Sequence, residues 1–591
     1  MFRTATLIQT ALAALYQGIF VLGGTQHVFS SGASSTTDGQ LLPPDIIKSI
    51  QSIVDAHEVP GMSLAFVRPG VAVEFGNWGI RSEDGEAMTS DTLFTLASCS
   101  KAFTAASIGL LIEDYATGKN VTPLPDGLSR LDWDTKLQDI LPGEWKLMDE
   151  PASKMAALKD ILSHQTGVPR HDLSYARDDT AKDMVSRLRY LRPAFEIRER
   201  YHYNNIMFMT AQHIVTTYAG SFTDFVRDRI FLPLNMTSTT YSYSEAAESG
   251  KTTQNWGENG RLIPWWFKDA ETELISGAGG IITSAQDMSH WVQMLLNSGV
   301  DPISKKRVLT PEIIEAVSLA RTIMNGRGNS ETSIEGYGMG WSRNSYHGHE
   351  LITHNGGLPG ISTLVVLSPH DGSGVVSLSN ADNKHPALTE ATLLLLNQIW
   401  NRQQDQTAQA LFGPDTRMDG RNNGPILPHV NALQELPPHD FTGLYMNEGY
   451  GTFLLCDSKS TSAHCTGVLD DFATIDALEK PKDTELYASW PRLWTSHLRL
   501  SYAGDMRFVA QASQLFPQGF GKNTTPFEQI SGTVFADFVV RDDGEVLGFG
   551  LFGFVGERTN REKKGGSIEE TAEVWFDKAM WKRTQEPVVA V

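Results

Sequence analysis

Between residues 92 and 105 the chain reads Thr92-Leu-Phe-Thr-Leu-Ala-Ser-Cys-Ser-Lys-Ala-Phe-Thr-Ala105. From Ala102 onward apolar residues recur at helical spacing, and Gly118 predicts the end of that helix. Residues three positions apart share a helix face, so we expect the Ser98 hydroxyl and the Lys101 amine to meet. Ser98 would lie at the helix N-terminus, where the macrodipole and free backbone N–H groups stabilise negative charge. The segment therefore predicts a serine that is placed to become a nucleophile.

Two further elements carry side chains of the kind that such a serine needs. Tyr203-Asn204-Asn205 lies in the middle of the chain, and His354-Asn355-Gly356-Gly357 lies between two strand-like segments. A lysine becomes a base when burial lowers its pKa, whereas a tyrosine needs a cation beside it to act as one. Each residue also has a purely structural interpretation. These are a capping serine with a solvated lysine, a packed aromatic ring with a capping asparagine, and a hydrogen-bonded strand histidine.

In chain order, these elements read S-x-x-K, Y-x-N and H-x-G. With them the chain resembles the serine β-lactamase and penicillin-binding-protein superfamily, and within it the class C β-lactamase-like esterase and D-aminopeptidase branch (peptidase S12-like). The likeness runs from about Leu42 to Trp400. It extends to four further segments, which are Pro60–Val67, Leu162–Arg170, Gly277–Asp287 and Tyr337–Trp341.

The resemblance implies a role for each of these residues. Ser98 would form an acyl-enzyme with Lys101 or Tyr203 as the base, and the sequence does not divide the work between those two. Backbone N–H groups of Ser98 and Gly357 would form the oxyanion hole. Asn205 would orient Lys101 and the substrate carbonyl. The residues expected to bind the substrate or the oxyanion are Asn205, His354, Asn355, Gly356 and Gly357.

The chain departs from the family pattern at two points. Ile197 and Arg198 stand where the family has Pro-Gly ahead of Y-x-N, so we expect the loop that enters Tyr203 to differ. His354 replaces the lysine of true β-lactamases. It is expected to hydrogen-bond the substrate or Tyr203, and its presence weakens the case for recognition of a β-lactam carboxylate.

An aromatic cluster precedes the Gly277–Asp287 segment. We interpret it as the lining of an apolar acyl pocket, with exposed loop anchors or core packing as the alternative. The cluster consists of Trp256, Trp265, Trp266 and Phe267.

Composition along the chain predicts four segments. Residues 1–41 are a signal-like stretch and a Ser/Gly/Thr-rich spacer, interpreted either as a secretory signal, which would make the protein secreted, or as an N-terminal helix. Residues 42–402 form the β-lactamase-like hydrolase domain, expected to be an α/β sandwich with a helical lobe and the site in the cleft. Residues 403–438 have the polar composition of a linker. Residues 439–591 contain short strands typical of a small antiparallel β-barrel, which resembles the lipocalin-like C-terminal domain of the same family.

Charge and cysteine content narrow the possible partners. The 591 residues carry a formal net charge of −20, which argues against nucleic acid or an anionic membrane surface as partner. No apolar stretch reaches the length of a confident membrane span. No metal or other cofactor is expected, because the chain has no C-x-x-C pair and because His349 and His354 are spaced wrongly for a zinc-binding helix. Cys456 and Cys465 are either a hairpin disulfide or two free thiols.

The sequence therefore predicts a serine hydrolase that acts on a small-molecule ester or amide, with an ester favoured. An acyltransferase, transesterase or cyclase acting on a secondary metabolite would use the same residues and stays open. A non-catalytic binding or sensor protein on this fold is the alternative class. The oligomeric state is left open.

Overall fold

The structure is a computed structural model that describes residues 42–68, 70–120, 122–402 and 438–579. The predicted signal-like segment and nearly all of the predicted linker lie outside these residues. The division of the chain into four segments therefore stays a prediction. No helix within the described ranges is both long enough and apolar enough to cross a membrane.

The bounds of the secondary-structure elements define the labels used below. Helices run over Pro44–Ala56 (α1), Lys101–Ala116 (α2), Leu137–Ile140 (α3), Glu150–Met155 (α4), Leu158–Leu162 (α5), Ala181–Arg187 (α6), Asn205–Ala219 (α7), Phe222–Val226 (α8), Tyr243–Glu248 (α9), Thr272–Gly279 (α10), Ala285–Leu296 (α11), Pro311–Ser318 (α12), His385–Ile399 (α13), Ala463–Asp476 (α14), Asn560–Lys564 (α15) and Ile568–Thr571 (α16). Strands run over Gly61–Val67 (β1), Glu74–Gly79 (β2), Phe94–Thr95 (β3), Asn255–Trp256 (β4), Leu262–Ile263 (β5), Ile282–Thr283 (β6), Thr322–Asn325 (β7), Glu335–Tyr337 (β8), Ser342–Tyr346 (β9), His349–Leu358 (β10), Ile361–Ser368 (β11), Ser373–Ser379 (β12), Gly443–Asn447 (β13), Gly451–Leu455 (β14), Glu485–Ser489 (β15), His497–Gly504 (β16), Arg507–Phe516 (β17), Phe527–Val540 (β18), Val546–Phe552 (β19) and Val574–Lys578 (β20).

The first sheet joins strands from both ends of the region between residues 42 and 402. Its order is β2-β1-β12-β11-β10-β9-β8-β7, and its strands pair antiparallel. Strands β1, β11 and β12 are buried along their whole length, with α13 packed on β11 and β12 and with α11 packed on β1 and β12. Burial on both faces explains why β1 and β11 are mostly apolar. The predicted sandwich, with strands late in the region and a closing apolar helix, is confirmed.

A helical lobe lies between the first and last strands of this sheet. Its central helices, α2 and α7, pack against each other and are buried on nearly every face. Strand β3, which pairs with β6, precedes α2, and the turn between β3 and α2 packs against β10 and β11 of the sheet. The first turn of α2 therefore lies where both layers meet.

The C-terminal region folds into a nearly closed barrel of eight antiparallel strands, in the order β14-β13-β20-β19-β18-β17-β16-β15. A single bridge between Cys456 and Tyr487 joins the two edge strands. Cys456 and Cys465 form a disulfide, but the hairpin predicted around it is wrong. Cys465 lies in the first turn of α14, because Ser462 caps that helix by accepting from the Cys465 N–H at 3.2 Å.

The barrel packs directly on the helical lobe. His171 Nδ1 lies 2.6 Å from the Tyr450 hydroxyl, and the Asn560 N–H donates to Ala194 O at 2.8 Å. The indole of Trp266 donates to a carbonyl of the loop between β15 and β16 at 3.0 Å. These contacts fix the barrel beside the mouth of the cleft.

Candidate active site

Ser98 lies in a turn of 3₁₀-helix, Ala97–Ser100, directly ahead of α2. Ala97 has a φ of 52°, in the left-handed region that costs a residue with a β-carbon about 1 kcal/mol or more. Strand β10 runs close beside this turn. A β-carbon at Gly356 would lie 2.7 Å from Leu96 O and 3.0 Å from Ser98 N. The strand therefore approaches the nucleophile this closely because residue 356 is a glycine.

The side chains predicted to be catalytic meet at the Ser98 hydroxyl. The Tyr203 hydroxyl donates to Ser98 Oγ at 2.7 Å, and Lys101 Nζ lies 3.2 Å from the same oxygen. Lys101 Nζ also donates to Asn205 Oδ1 at 2.8 Å and to Ala278 O at 2.7 Å. The Lys101 side chain is fully buried. Asn205 thus contacts Lys101, as the resemblance implied.

Burial sets the protonation of this group. Loss of solvation and the nearby Arg170 guanidinium hold the pKa of Lys101 well below its ordinary value, with Asp172 acting in the opposite direction. A neutral amine has two N–H groups, and the two carbonyl oxygens beside Lys101 accept both, which leaves its lone pair for Ser98. Burial raises the pKa of Tyr203, so its phenol keeps the proton that it donates. The geometry suits a lysine base and a tyrosine acid.

The sequence interpretation missed a charged pair next to these groups. Arg170 Nε lies 2.7 Å from Asp172 Oδ2, and its guanidinium stacks on the Tyr203 ring at 4.7 Å. Asp172 Oδ1 accepts from Asn205 Nδ2 at 3.2 Å. The sequence offered one clue to this pair, since Arg170 is the last residue of the Leu162–Arg170 segment, which carries part of the family resemblance. This pair ties the loop after α5 to both the tyrosine and the lysine.

His354 was expected to hydrogen-bond the substrate or Tyr203. Its Nε2 lies 3.0 Å from the Tyr337 hydroxyl and its Nδ1 lies 2.6 Å from Asn355 O, so of these two alternatives the bond to Tyr203 is not the one formed. Burial and the nearby Lys101 lower the pKa of His354 to about 3, which keeps the imidazole neutral. His354 therefore buttresses β10 rather than supplying a cation.

A cavity of about 100 Å³ opens at Ser98. Its polar wall includes Ser98, Arg170 and Asn205, and strand β10 contributes Gly357 and Leu358. Most of the remaining lining is apolar. Ser98 and Gly357, whose backbone N–H groups were expected to form the oxyanion hole, both line this cavity.

The predicted aromatic pocket is only partly correct, because only Phe267 of the cluster lines the cavity. Trp265 packs against Tyr243 at 5.2 Å, away from the site. Trp266 stacks on Trp494 of the barrel at 6.3 Å. Phe267 also contacts Trp494, at 5.5 Å between ring centres, so two of the three neighbouring aromatic side chains pack on the barrel.

The barrel supplies the outer wall of the cavity. The residues from it are Trp494, Gln529, Ile530 and Ser531. On β18, Ile530 faces Ser513 and Gly532 faces Ala512, so Ser531 is the extra residue of a β-bulge. The bulge redirects this stretch of β18 toward Ser98. Sequence reasoning had no signal for it, because bulges follow from strand register rather than from residue type.

Comparison with known proteins places the fold and the motifs in one family. The Beta-lactamase family model matches residues 46–398. An unguisins hydrolase of Aspergillus campestris is 31% identical over 360 residues, covering 59% of this chain and 63% of that protein. An unguisins hydrolase of Aspergillus violaceofuscus is 27% identical over 486 residues, covering 76% of this chain and 82% of that protein.

A solved structure shares the fold. The octameric penicillin-binding protein homologue from Pyrococcus abyssi superposes with a TM-score of 0.52 at 16% identity, covering 87% of this chain and 98% of that one. Because its identity is low, this likeness concerns the fold alone. The family match spans residues 46–398 of 591 and contains Ser98, Lys101 and Tyr203 in contact. The chain therefore belongs to the Beta-lactamase family and is a serine hydrolase.

Proposed function

We propose that the protein hydrolyses a small ester or amide through an acyl-enzyme at Ser98, with Lys101 as the base and Tyr203 as the acid. The observation that carries this proposal is the convergence of both side chains on Ser98 Oγ, within 3.2 Å for the amine and 2.7 Å for the phenol. In acylation the Ser98 proton passes to Lys101 as Oγ bonds the substrate carbonyl carbon. Tyr203 then protonates the leaving oxygen or nitrogen, and that bond breaks.

Deacylation restores every group. A water molecule gives its proton to the Tyr203 phenolate and attacks the acyl carbon. The protonated Lys101 returns its proton to Ser98 Oγ as the ester bond breaks. Between the two steps Lys101 is a cation 4.8 Å from the centre of the Tyr203 ring, so it stabilises the phenolate. The net reaction consumes one water and yields an acid with an alcohol or amine.

The cavity wall supports an apolar acyl group as the preferred substrate. Phe267, Ile275, Leu358 and Ile530 surround the space next to Ser98. Two Aspergillus relatives are named hydrolases of unguisins, so amide and ester bonds of small natural products belong in the first substrate panel.

Labelling with a fluorophosphonate tests the acyl-enzyme. Intact mass is expected to show one adduct, and peptide mapping is expected to place it on Ser98. Ser100→Ala is the matched control, because that hydroxyl accepts from the Ile281 N–H at 3.3 Å and not from the catalytic groups. An active protein that stays unlabelled, or an adduct on Ser100, would refute the proposal. Product analysis in the presence of added alcohol then separates hydrolysis from acyl transfer.

A further inference from the structure

A loop of the barrel is fastened to the helical lobe on two sides. It connects β15 to β16 over residues 490–496. The Leu493 N–H donates to Tyr175 O at 3.0 Å, and Leu493 O accepts from the Trp266 indole at 3.0 Å. Ser531 on the bulge of β18 donates to Trp494 O. The loop thus holds the Trp494 side chain at a defined place between the two regions.

From Trp494 a chain of hydrogen bonds runs inward. Its indole N–H donates to the Tyr175 hydroxyl at 3.1 Å, and that hydroxyl donates to Asp172 Oδ1 at 2.8 Å. The same carboxylate oxygen accepts from Asn205 Nδ2 at 3.2 Å. Asn205 Oδ1 in turn accepts from Lys101 Nζ at 2.8 Å. This series of hydrogen bonds ends at Lys101, which contacts Ser98.

The direction of every bond in this chain is fixed by chemistry. An indole N–H only donates and a carboxylate only accepts, so the Tyr175 hydroxyl must point its proton at Asp172. The carboxylate then requires the amide NH₂ of Asn205, which turns the amide oxygen toward Lys101. A flipped amide would present N–H groups to the lysine instead. The atom of Asn205 that faces Lys101 is therefore decided by the Asp172 carboxylate, two hydrogen bonds away.

The inner part of this series of hydrogen bonds is buried, whereas Trp494 at its outer end is half-buried. Tyr175 is fully buried, and Asp172 and Asn205 are 4% and 6% exposed. Hydrogen bonds in such surroundings are stronger than in water, and each unpaired group costs more. A change at one end is therefore transmitted to the other rather than absorbed by solvent.

We propose that Trp494, acting through Tyr175 and Asp172, is a positioning residue for the catalytic site. It holds Tyr175 and through it the Asp172 carboxylate in place, and that carboxylate fixes the Asn205 amide so that Lys101 is held with its lone pair toward Ser98. The inference rests on the proposed role of Lys101 as the base. On this inference the docked barrel both lines the cavity and helps to keep Lys101 ready to accept the Ser98 proton.

The inference predicts opposite pH shifts for two variants. Asp172 favours the protonated amine and Arg170 the neutral one. Tyr175→Phe leaves more unbalanced charge on Asp172, so the low-pH limb of the activity profile should move to higher pH. Asp172→Asn removes that charge and leaves Arg170 uncompensated, so the limb should move to lower pH. The titratable and charged groups facing Lys101 from its surroundings are Cys99, His164, Arg170, Asp172, Tyr203 and His354.

The test is the rate of fluorophosphonate labelling of Ser98 in the full chain, measured across pH. Tyr175→Phe should lower the rate at neutral pH on the order of tenfold, since one hydrogen bond to a charged group is lost. Trp494→Phe should also move the low-pH limb to higher pH, but by less than Tyr175→Phe does. This variant replaces Asp172→Asn in the test if Asp172→Asn does not fold. Tyr445→Phe is the matched control, because its buried hydroxyl donates to Phe441 O inside the barrel at 2.8 Å.

Every outcome of the labelling experiment either supports the inference or overturns it. A wild-type protein without labelling at Ser98 would overturn the proposed function and this inference together. A labelled wild type whose Tyr175→Phe and Trp494→Phe profiles match that of Tyr445→Phe would overturn the inference alone. Slower labelling with an unshifted limb would show a purely structural role and would overturn it too. Shifts of opposite sign for Tyr175→Phe and Asp172→Asn would support it, as would the smaller shift of Trp494→Phe should Asp172→Asn be unfolded.

Discussion

Replacing Tyr203 with phenylalanine removes one hydroxyl and little else. The ring keeps its packing on His164, 4.4 Å between ring centres, and its stacking under the Arg170 guanidinium. One hydrogen bond, to Ser98 Oγ, is lost. The free energy of unfolding is therefore expected to fall by only about 1 kcal/mol, so that changes in rate report on chemistry.

The size of the kinetic loss should depend on the leaving group. Acid catalysis contributes roughly 10²- to 10⁴-fold to the rate, which lowers the activation barrier by about 3 to 5 kcal/mol. An alkyl ester or an anilide needs that proton, so the Tyr203→Phe variant should lose acylation by this factor. Nitrophenolate leaves without a proton, so the burst with a nitrophenyl ester should be retained within about tenfold. Deacylation also needs Tyr203, so the acyl-enzyme at Ser98 should accumulate.

Stopped-flow bursts and intact mass measure both effects. Tyr337→Phe is the matched control, because that hydroxyl lies 3.0 Å from His354 Nε2 and belongs to the buttress of β10. The control should keep its preference among leaving groups and should not accumulate acyl-enzyme. An equal loss of burst rate with nitrophenyl and alkyl esters in Tyr203→Phe would make Tyr203 the base for Ser98 and refute the assignment.

Two further substitutions and one substrate comparison test other parts of the site. Lys101→Met keeps most of the side-chain volume without the amine, so labelling of Ser98 should fall by roughly 10³-fold, and a rate within tenfold of wild type would place the base elsewhere. Ile530→Ala opens the cavity wall, so the ratio of kcat/KM for long over short acyl esters should rise roughly tenfold; an equal change at every chain length would remove Ile530 from the acyl wall. Nitrocefin should be a poorer substrate than nitrophenyl butyrate, because the neutral His354 offers no cation to the β-lactam carboxylate, and a higher kcat/KM for nitrocefin would contradict this.

The sequence predicted that Ser98, Lys101, Tyr203 and Asn205 would lie together, because acyl transfer needs its few groups at short range. Ser98 and Lys101 are linked by helical spacing, which is a local property. Tyr203 and Asn205 were found only through the family motif, since a residue more than 100 positions away leaves no local trace of its contact. The structure brings all four together.

What the sequence did not predict depends on long-range packing. Arg170 and Asp172, two positions apart in a loop, look like a solvated surface pair. They are part of the site because they contact Tyr203 and Asn205. Trp494, more than 300 residues later in a barrel loop, reaches Asp172 through Tyr175. His354 was expected to hydrogen-bond the substrate or Tyr203, but its Nε2 lies against the Tyr337 hydroxyl. Such outcomes are settled by which surfaces meet, and residue type alone does not encode them.

The contribution of the barrel to catalysis follows from the requirement for a dry lysine. An amine exposed to water would be protonated near neutral pH and would have no lone pair for Ser98. Lys101 is fully buried within the lobe, and Trp494 and Ile530 line the cavity that contains its serine. We propose that covering the cleft in this way keeps the local dielectric at Ser98 low as well as selecting substrates. On this proposal the hydrolase region and the barrel act as one catalytic unit.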